Sequence, residues 1–131
     1  MIGLDTNVIV RYLVQDDAKQ SRIANQLMES TLSQHTPGFI NLLTLCEVTW
    51  VLKRNYKVEK IDLIQIIDGL MTTKQIIIEN VAIAWKALRA YEESNADFSD
   101  IVIAYINLEN GCSTTVTFDK KAAKLHGMKI L

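Results

Sequence analysis

The sequence predicts an α/β protein: a three-layer α/β/α sandwich with a central parallel sheet of short strands. Three observations carry this expectation. Short β-branched runs alternate with longer segments whose apolar residues recur at helical spacing. The hydrophobic content is 49% of 131 residues, enough for one compact domain, residues 1–131, with a real core. A single proline, Pro37, and five glycines interrupt the chain, so no stretch has the composition of a linker or disordered tail.

The elements follow in order. Residues 2–4 form a short strand, and residues 6–14 a helix with Val8, Ile9, Tyr12 and Leu13 on one side. Asp16 or Asp17 caps a second helix to about residue 33, with Ile23, Ala24, Leu27 and Met28 as its apolar face. TPGFI supplies a break and then a buried strand at 38–40. Asn41 is a good N-cap for a helix over 42–55, and after a turn at 56–58, IDLIQIIDGLM forms another helix. KQIII at 74–78 is a strand, and residues 80–93 are helical, with Val81, Ala84, Trp85 and Leu88 in register. DFSDIVIAYINLEN is a helix ended by Gly111 in the left-handed position beyond its last turn. STTVTF is a strand, KKAAKLHG a short helix and MKIL a final strand. There is no internal repeat, and strand order is not legible in this pattern.

Composition narrows the function. A net charge of −1 argues against a strongly basic nucleic-acid groove, though not against an enzyme that holds nucleic acid through metal ions. Cys46 and Cys112 lie far apart with no CxxC. They are expected to be buried thiols of a reducing compartment, not zinc ligands. Asp5 and Arg11 interrupt any N-terminal apolar region, against a signal peptide, and charges break every long apolar run, against a membrane span. The expected location is the cytoplasm.

The carboxylates are where the sequence becomes specific. Asp5 ends the first strand and Asp119 ends STTVTF. As strands of one parallel sheet, the two segments put both acids at the same edge, where open α/β sheets bind ligands; Asp5 alone is equally well explained as a cap for the helix it precedes. Glu47 falls on an apolar stripe of Leu43, Cys46, Trp50 and Val51, where a carboxylate is costly unless paired, hydrogen-bonded or metal-bound. Asp97 and Asp100 open a helix. Capping by Asp97, with Asp100 in the first turn, is the simpler account of the pair, while Asp100 also leads the stripe Ile101, Ala104, Tyr105 and Leu108. Should these acids converge, two unit charges about 4 Å apart at an effective dielectric near 20 repel by roughly 4 kcal/mol, and a cation is needed. Hard oxygen donors without His or Cys select Mg²⁺ or Mn²⁺, and metal-activated water attacking a phosphodiester is the natural chemistry.

LDTNVIVRYLVQDD, LTLCEVTWVL, ADFSDIVIAYI and TTVTFDKKAAKL, in that order, resemble the four motifs of PIN-domain proteins, specifically VapC-type toxin ribonucleases. The resemblance runs from Met1 nearly to Leu131. It rests on the ordered set, since DTN at an N-terminus is common. It implies that Asp5, Glu47, Asp100 and Asp119 form an acidic Mg²⁺/Mn²⁺ pocket: Asp5 a metal ligand, Glu47 a ligand or water-positioning group, Asp100 and Asp119 completing the shell. Asp97 fills an extra acidic position, as metal shell or helix cap. Thr6 and Thr117 match hydroxyl positions that orient a carboxylate or water. The resemblance also implies endonucleolytic cleavage of RNA, a homodimer and a VapB-like antitoxin.

The remaining candidates have plainer readings. His35 and His126 are loop or surface histidines, and Trp50 and Trp85 pack in the core rather than stack on bases, or else serve a protein interface. Lys120, Lys121 and Lys124 form a solvated face or contact RNA phosphates. Arg11 is a surface residue or a substrate or antitoxin contact, and the basic cluster at 53–57 suits a helix end. Two rivals are weaker. A receiver-like signalling module needs an acceptor Asp on a middle strand, which residues 38–40 lack. A PIN fold that binds RNA or protein without cutting is disfavoured by acids at all four positions.

Overall fold

The structure, a computed structural model, describes residues 1–131. It is an α/β fold with six α-helices and short strands that pair in parallel. The chain divides into two compact units, Met1–Glu79 and Asn80–Leu131.

The first unit runs β1 (Ile2–Gly3), α1 (Thr6–Val14), α2 (Ala18–Gln26) continuing into a π turn at Leu27–Thr31, β2 (Gly38–Ile40), α3 (Leu42–Tyr56), α4 (Lys60–Thr72) and β3 (Ile76–Ile78). Its sheet has the order β1-β2-β3, with Ile2 opposite Gly38 and Ile40 opposite Ile78. Each parallel crossover needs a long connection, which the helix pairs α1–α2 and α3–α4 provide. The helices start where side chains satisfy free amides: Asn41 accepts from Thr44 N at 2.7 Å and Asp17 from Gln20 N at 2.9 Å. Ile9, Ile40, Leu45, Val48, Leu52, Leu63 and Ile67 are fully buried. Gly38 is a close approach: a Cβ there stands 2.8 Å from the Cδ1 atoms of both Leu4 and Leu32.

The second unit contains α5 (Val81–Glu93), α6 (Phe98–Glu109), β4 (Thr115–Thr117), a 3₁₀ turn at Ala122–Lys124 and β5 (Met128–Ile130). β4 and β5 form their own parallel pair, Thr115 opposite Met128. α5 and α6 pack through Ala84, Ala87, Leu88, Ile101, Val102 and Ala104, all buried, with the rings of Tyr91 and Phe98 edge to face at 5.7 Å. Gly127 enters β5 at φ +82°, and a Cβ there would lie 2.7 Å from Leu108 Cδ1. Gly127→Ala combines a left-handed backbone with this overlap, so it should cost about 2 kcal/mol. The check is a lower denaturant midpoint at unchanged m-value.

Most expected elements are present within two residues of their expected ends, and Gly111 takes a positive φ of 91° beyond α6. Several expectations need correction. β1 and β4 belong to different hydrogen-bonded sheets, so their acids do not share an edge of one ladder. The buried face of α3 is Leu42, Thr44, Leu45, Val48, Thr49 and Leu52, whereas Leu43 is 70% and Trp50 54% exposed. This helix carries apolar residues on several sides, and Thr49 goes inward with its Oγ1 donating to the Leu45 carbonyl at 2.9 Å. Trp50 lies against Arg54, the guanidinium carbon 5.2 Å from the ring centre, and Trp85 is half-buried. Ile23 and Val81 are also exposed. Cys112 is exposed, not buried, while burial pushes the half-buried Cys46 thiol up to about 11. His35 and His126 are exposed, as expected. No helix is long and apolar enough to cross a membrane.

Candidate acidic active site

In the first unit the chain leaves β1 through Leu4, whose amide still bonds Phe39 O at 2.9 Å, and turns into α1 at Asp5. Asp5 occupies the N-cap position: its backbone carbonyl accepts from Val8 and Ile9, and its Oδ1 from the adjacent Thr6 amide at 2.8 Å. That side-chain bond reaches the first helical amide, not the second or third that a capping side chain usually serves. Thr6 is buried, and its hydroxyl donates to Glu47 Oε2 at 2.6 Å. One carboxylate oxygen of an exposed Glu on α3 is thereby fixed beside the start of α1. Glu47 is held by a hydroxyl rather than by burial on an apolar stripe, which corrects the expected reason for its position.

These residues line a cavity of about 320 Å³ shared with Arg11, Asn55 and Tyr56. Arg11 reaches no acid of that cavity. Its Nη1 donates to Asp16 Oδ1 and to Tyr56 OH, both at 3.1 Å, and its Nε to Gln20 Oε1 at 2.7 Å. Tyr56 OH in turn donates to Asp16 Oδ2 at 2.8 Å. The Tyr56 hydrogen bond, with the Arg11 charge, holds the Asp16 carboxyl below its usual range, and Tyr56 and Asp16 raise Arg11. Asp17 caps α2, which leaves Asp16 for this cluster. The sequence pattern did not single out Asn55, Tyr56 or the role of Asp16. The only signal was KRNYK at the end of α3, and its Tyr carried no hint of a partner 40 residues away.

In the second unit Asp97 occupies the N-cap position of α6 without a side-chain bond to the helix amides, so its placement is that of a cap but its carboxylate does not act as one. Asp100 is half-buried in the first turn. Burial is the largest cause raising its carboxyl above the ordinary value, and the charges of Asp97 and Asp119 raise it further. Asp119 follows β4. Its amide donates to Thr117 Oγ1 at 3.0 Å, and its Oδ1 accepts from the Lys121 and Ala122 amides at 2.8 and 3.2 Å. Thr117 thus anchors the backbone of Asp119, not its carboxylate.

The structure therefore groups Asp5, Thr6 and Glu47 in one unit, and Asp97, Asp100 and Asp119 in the other. No group of three or more His, Cys, Asp or Glu side chains is arranged to hold a metal ion. The donor chemistry nevertheless fits a hard divalent cation: every candidate ligand is a carboxylate oxygen, with no His or Cys in either set. Every influence on Asp100 acts against its ionised form, the imbalance that a nearby cation relieves. The PIN domain family model matches residues 2–127, spanning both acid sets. No curated protein matches the chain.

Proposed function

The chain belongs to the PIN-domain family, a nuclease-type fold, and from that premise we propose that it is a metal-dependent endoribonuclease, the toxin of a VapBC-type toxin–antitoxin pair. The observation that supports the reading is the crowding at Asp100, whose carboxyl is raised by burial first and then by the charges of Asp97 and Asp119, a repulsion that a bound cation would relieve.

Asp5, Glu47, Asp100 and Asp119 are the carboxylates that would hold Mg²⁺ or Mn²⁺, with Asp97 as an additional acid. Such an ion, when bound, would supply an activated water and charge stabilisation at the phosphodiester. The chain's own residues supply the rest. The Thr6 hydroxyl keeps one oxygen of Glu47 committed at 2.6 Å, leaving the other to orient water or bind the ion. The Asp119 carboxylate is held by two backbone amides on Oδ1, so its free Oδ2 has a fixed direction. The likeness of all four motifs to VapC-type toxins supports cytoplasmic action on single-stranded or structured RNA, a VapB-like antitoxin and a homodimer.

The test is cleavage of RNA by purified protein in Mg²⁺ or Mn²⁺, with EDTA as the control and thermal shift alongside. Cleavage that appears with metal and stops with EDTA is the expected result. Metal-induced stabilisation should accompany it, about 2.7 kcal/mol at one hundred times Kd. Absence of both cleavage and metal binding would leave a PIN fold that binds RNA or protein without cutting.

A further inference from the structure

We propose that a cleft in the second unit, between the segment after α5 and the 3₁₀ turn after β4, is a subsite for an RNA phosphate flanking the one that is cut. The inference rests on the nuclease reading and adds where the substrate backbone is held.

With a net charge of −1, the protein has no general attraction for RNA, so a few local cations must supply it. The cavity beside Asp5 and Glu47 offers none to spare, because Arg11 is paired with Asp16 at 3.1 Å. The second unit has a different cavity, of about 330 Å³, lined by Glu93, Ser94, Asn95, Lys121, Lys124 and Leu125. Two of these are cations and one is an acid, so the wall is net positive.

The lysines are placed by local geometry. Asp119 Oδ1 accepts the Lys121 amide and starts a tight turn in which the Lys124 amide bonds the Lys121 carbonyl at 3.3 Å. Residues i and i+3 of a 3₁₀ turn eclipse one another, so both side chains leave on the same side, toward one cleft. The lining residues are also near the acids along the chain: Lys121 is two residues beyond Asp119, and Asn95 is two residues before Asp97. On this proposal, a strand whose scissile phosphate sits at those carboxylates places its neighbouring phosphate at the lysines. Asn95 adds an amide that can hydrogen-bond a ribose or base edge.

The double variant K121Q/K124Q tests this against wild type and against K86Q, an exposed lysine on α5 outside the cleft. Binding of a short mixed-sequence single-stranded oligoribonucleotide is followed in EDTA over a range of salt. Steady-state cleavage is followed in Mg²⁺. The double variant should lower the slope of log affinity against log salt by about 1.4, two contacts at about 0.7 each. It should raise KM about tenfold with kcat little changed, while K86Q matches wild type. K121R/K124R should restore both quantities, which a loss of fold in the Gln variant would not mimic, and the melting temperature of each variant is a direct check. If wild type binds and cuts RNA while K121Q/K124Q keeps its slope and KM, the subsite is wrong and the nuclease reading stands. If wild type neither binds nor cuts RNA, both fall together.

Discussion

Asp5→Asn is expected to lower metal-dependent RNA cleavage by at least about a hundredfold while leaving the metal-free fold as stable as before, or more so. The two halves of this expectation come from different atoms of one side chain. Structurally, Asp5 contributes an acceptor, Oδ1, for the Thr6 amide at 2.8 Å, and a backbone carbonyl for Val8 and Ile9. Asn keeps both, and is as good an N-cap as Asp, so α1 starts in the same place. Chemically, the substitution removes a negative charge from a group proposed to hold a divalent cation. Losing several kcal/mol of transition-state stabilisation corresponds to two or more powers of ten in rate. Circular dichroism and thermal melts in EDTA measure the first half, and initial rates in Mn²⁺ or Mg²⁺ the second. A variant that cuts within about threefold of wild type would reduce Asp5 to the start of a helix. One that fails to fold would show that the charge, not the acceptor, secures α1.

The same separation between acceptor and charge explains which features were legible in the sequence. Helix starts were readable because they depend on one residue and its near neighbours, as where the Asn41 side chain accepts from Thr44 N. So were the β-branched strand at 76–78 and the turn at Gly111, where conformational preference is local. Helix faces were less legible. In LLTLCEVTWVL apolar residues fall on all sides, and packing rather than periodicity decides that Leu45 and Val48 are buried while Leu43 and Trp50 are not. KKAAKL looked like a helix by composition. Asp119 caps its amides so tightly, and β5 follows so soon, that only one 3₁₀ turn forms. The placement of Asp5, Asp97, Asp100 and Asp119 at element ends was legible, but the contacts that orient the acids were not. Thr6 to Glu47 spans 41 residues and Tyr56 to Asp16 spans 40, and pairings at that range are set by the fold, not by any local pattern.

Asp100→Asn is expected to act in opposite directions on stability and on catalysis, and so to separate a metal-site acid from a helix-capping one. In the wild type Asp100 has its carboxyl raised by burial first and then by Asp97 and Asp119. The folded state therefore holds this proton more tightly than the unfolded chain does. Its favourable contribution is complete below the ordinary carboxylate value of 3.8 and is lost as pH rises through the higher folded value. At neutral pH the ionised group is a net cost, which Asn removes. Because the side chain is only partly buried, solvent screening keeps the gain below about 1 kcal/mol, a melting-temperature rise of a few degrees at most. That rise should shrink as pH falls toward the ordinary carboxylate range. If Asp100 served only the positive end of α6, its removal should instead cost about 0.3–1 kcal/mol at neutral pH. Addition of Mn²⁺ or Mg²⁺ should reverse the order, since the wild type gains binding energy that the variant lacks, and cleavage should fall by about a hundredfold or more. Melts at two pH values, with and without metal, thus yield four numbers whose signs differ between the two roles. A variant less stable than wild type in EDTA at neutral pH, with metal making no difference, would place Asp100 among the helix caps and remove the observation on which the nuclease reading chiefly rests.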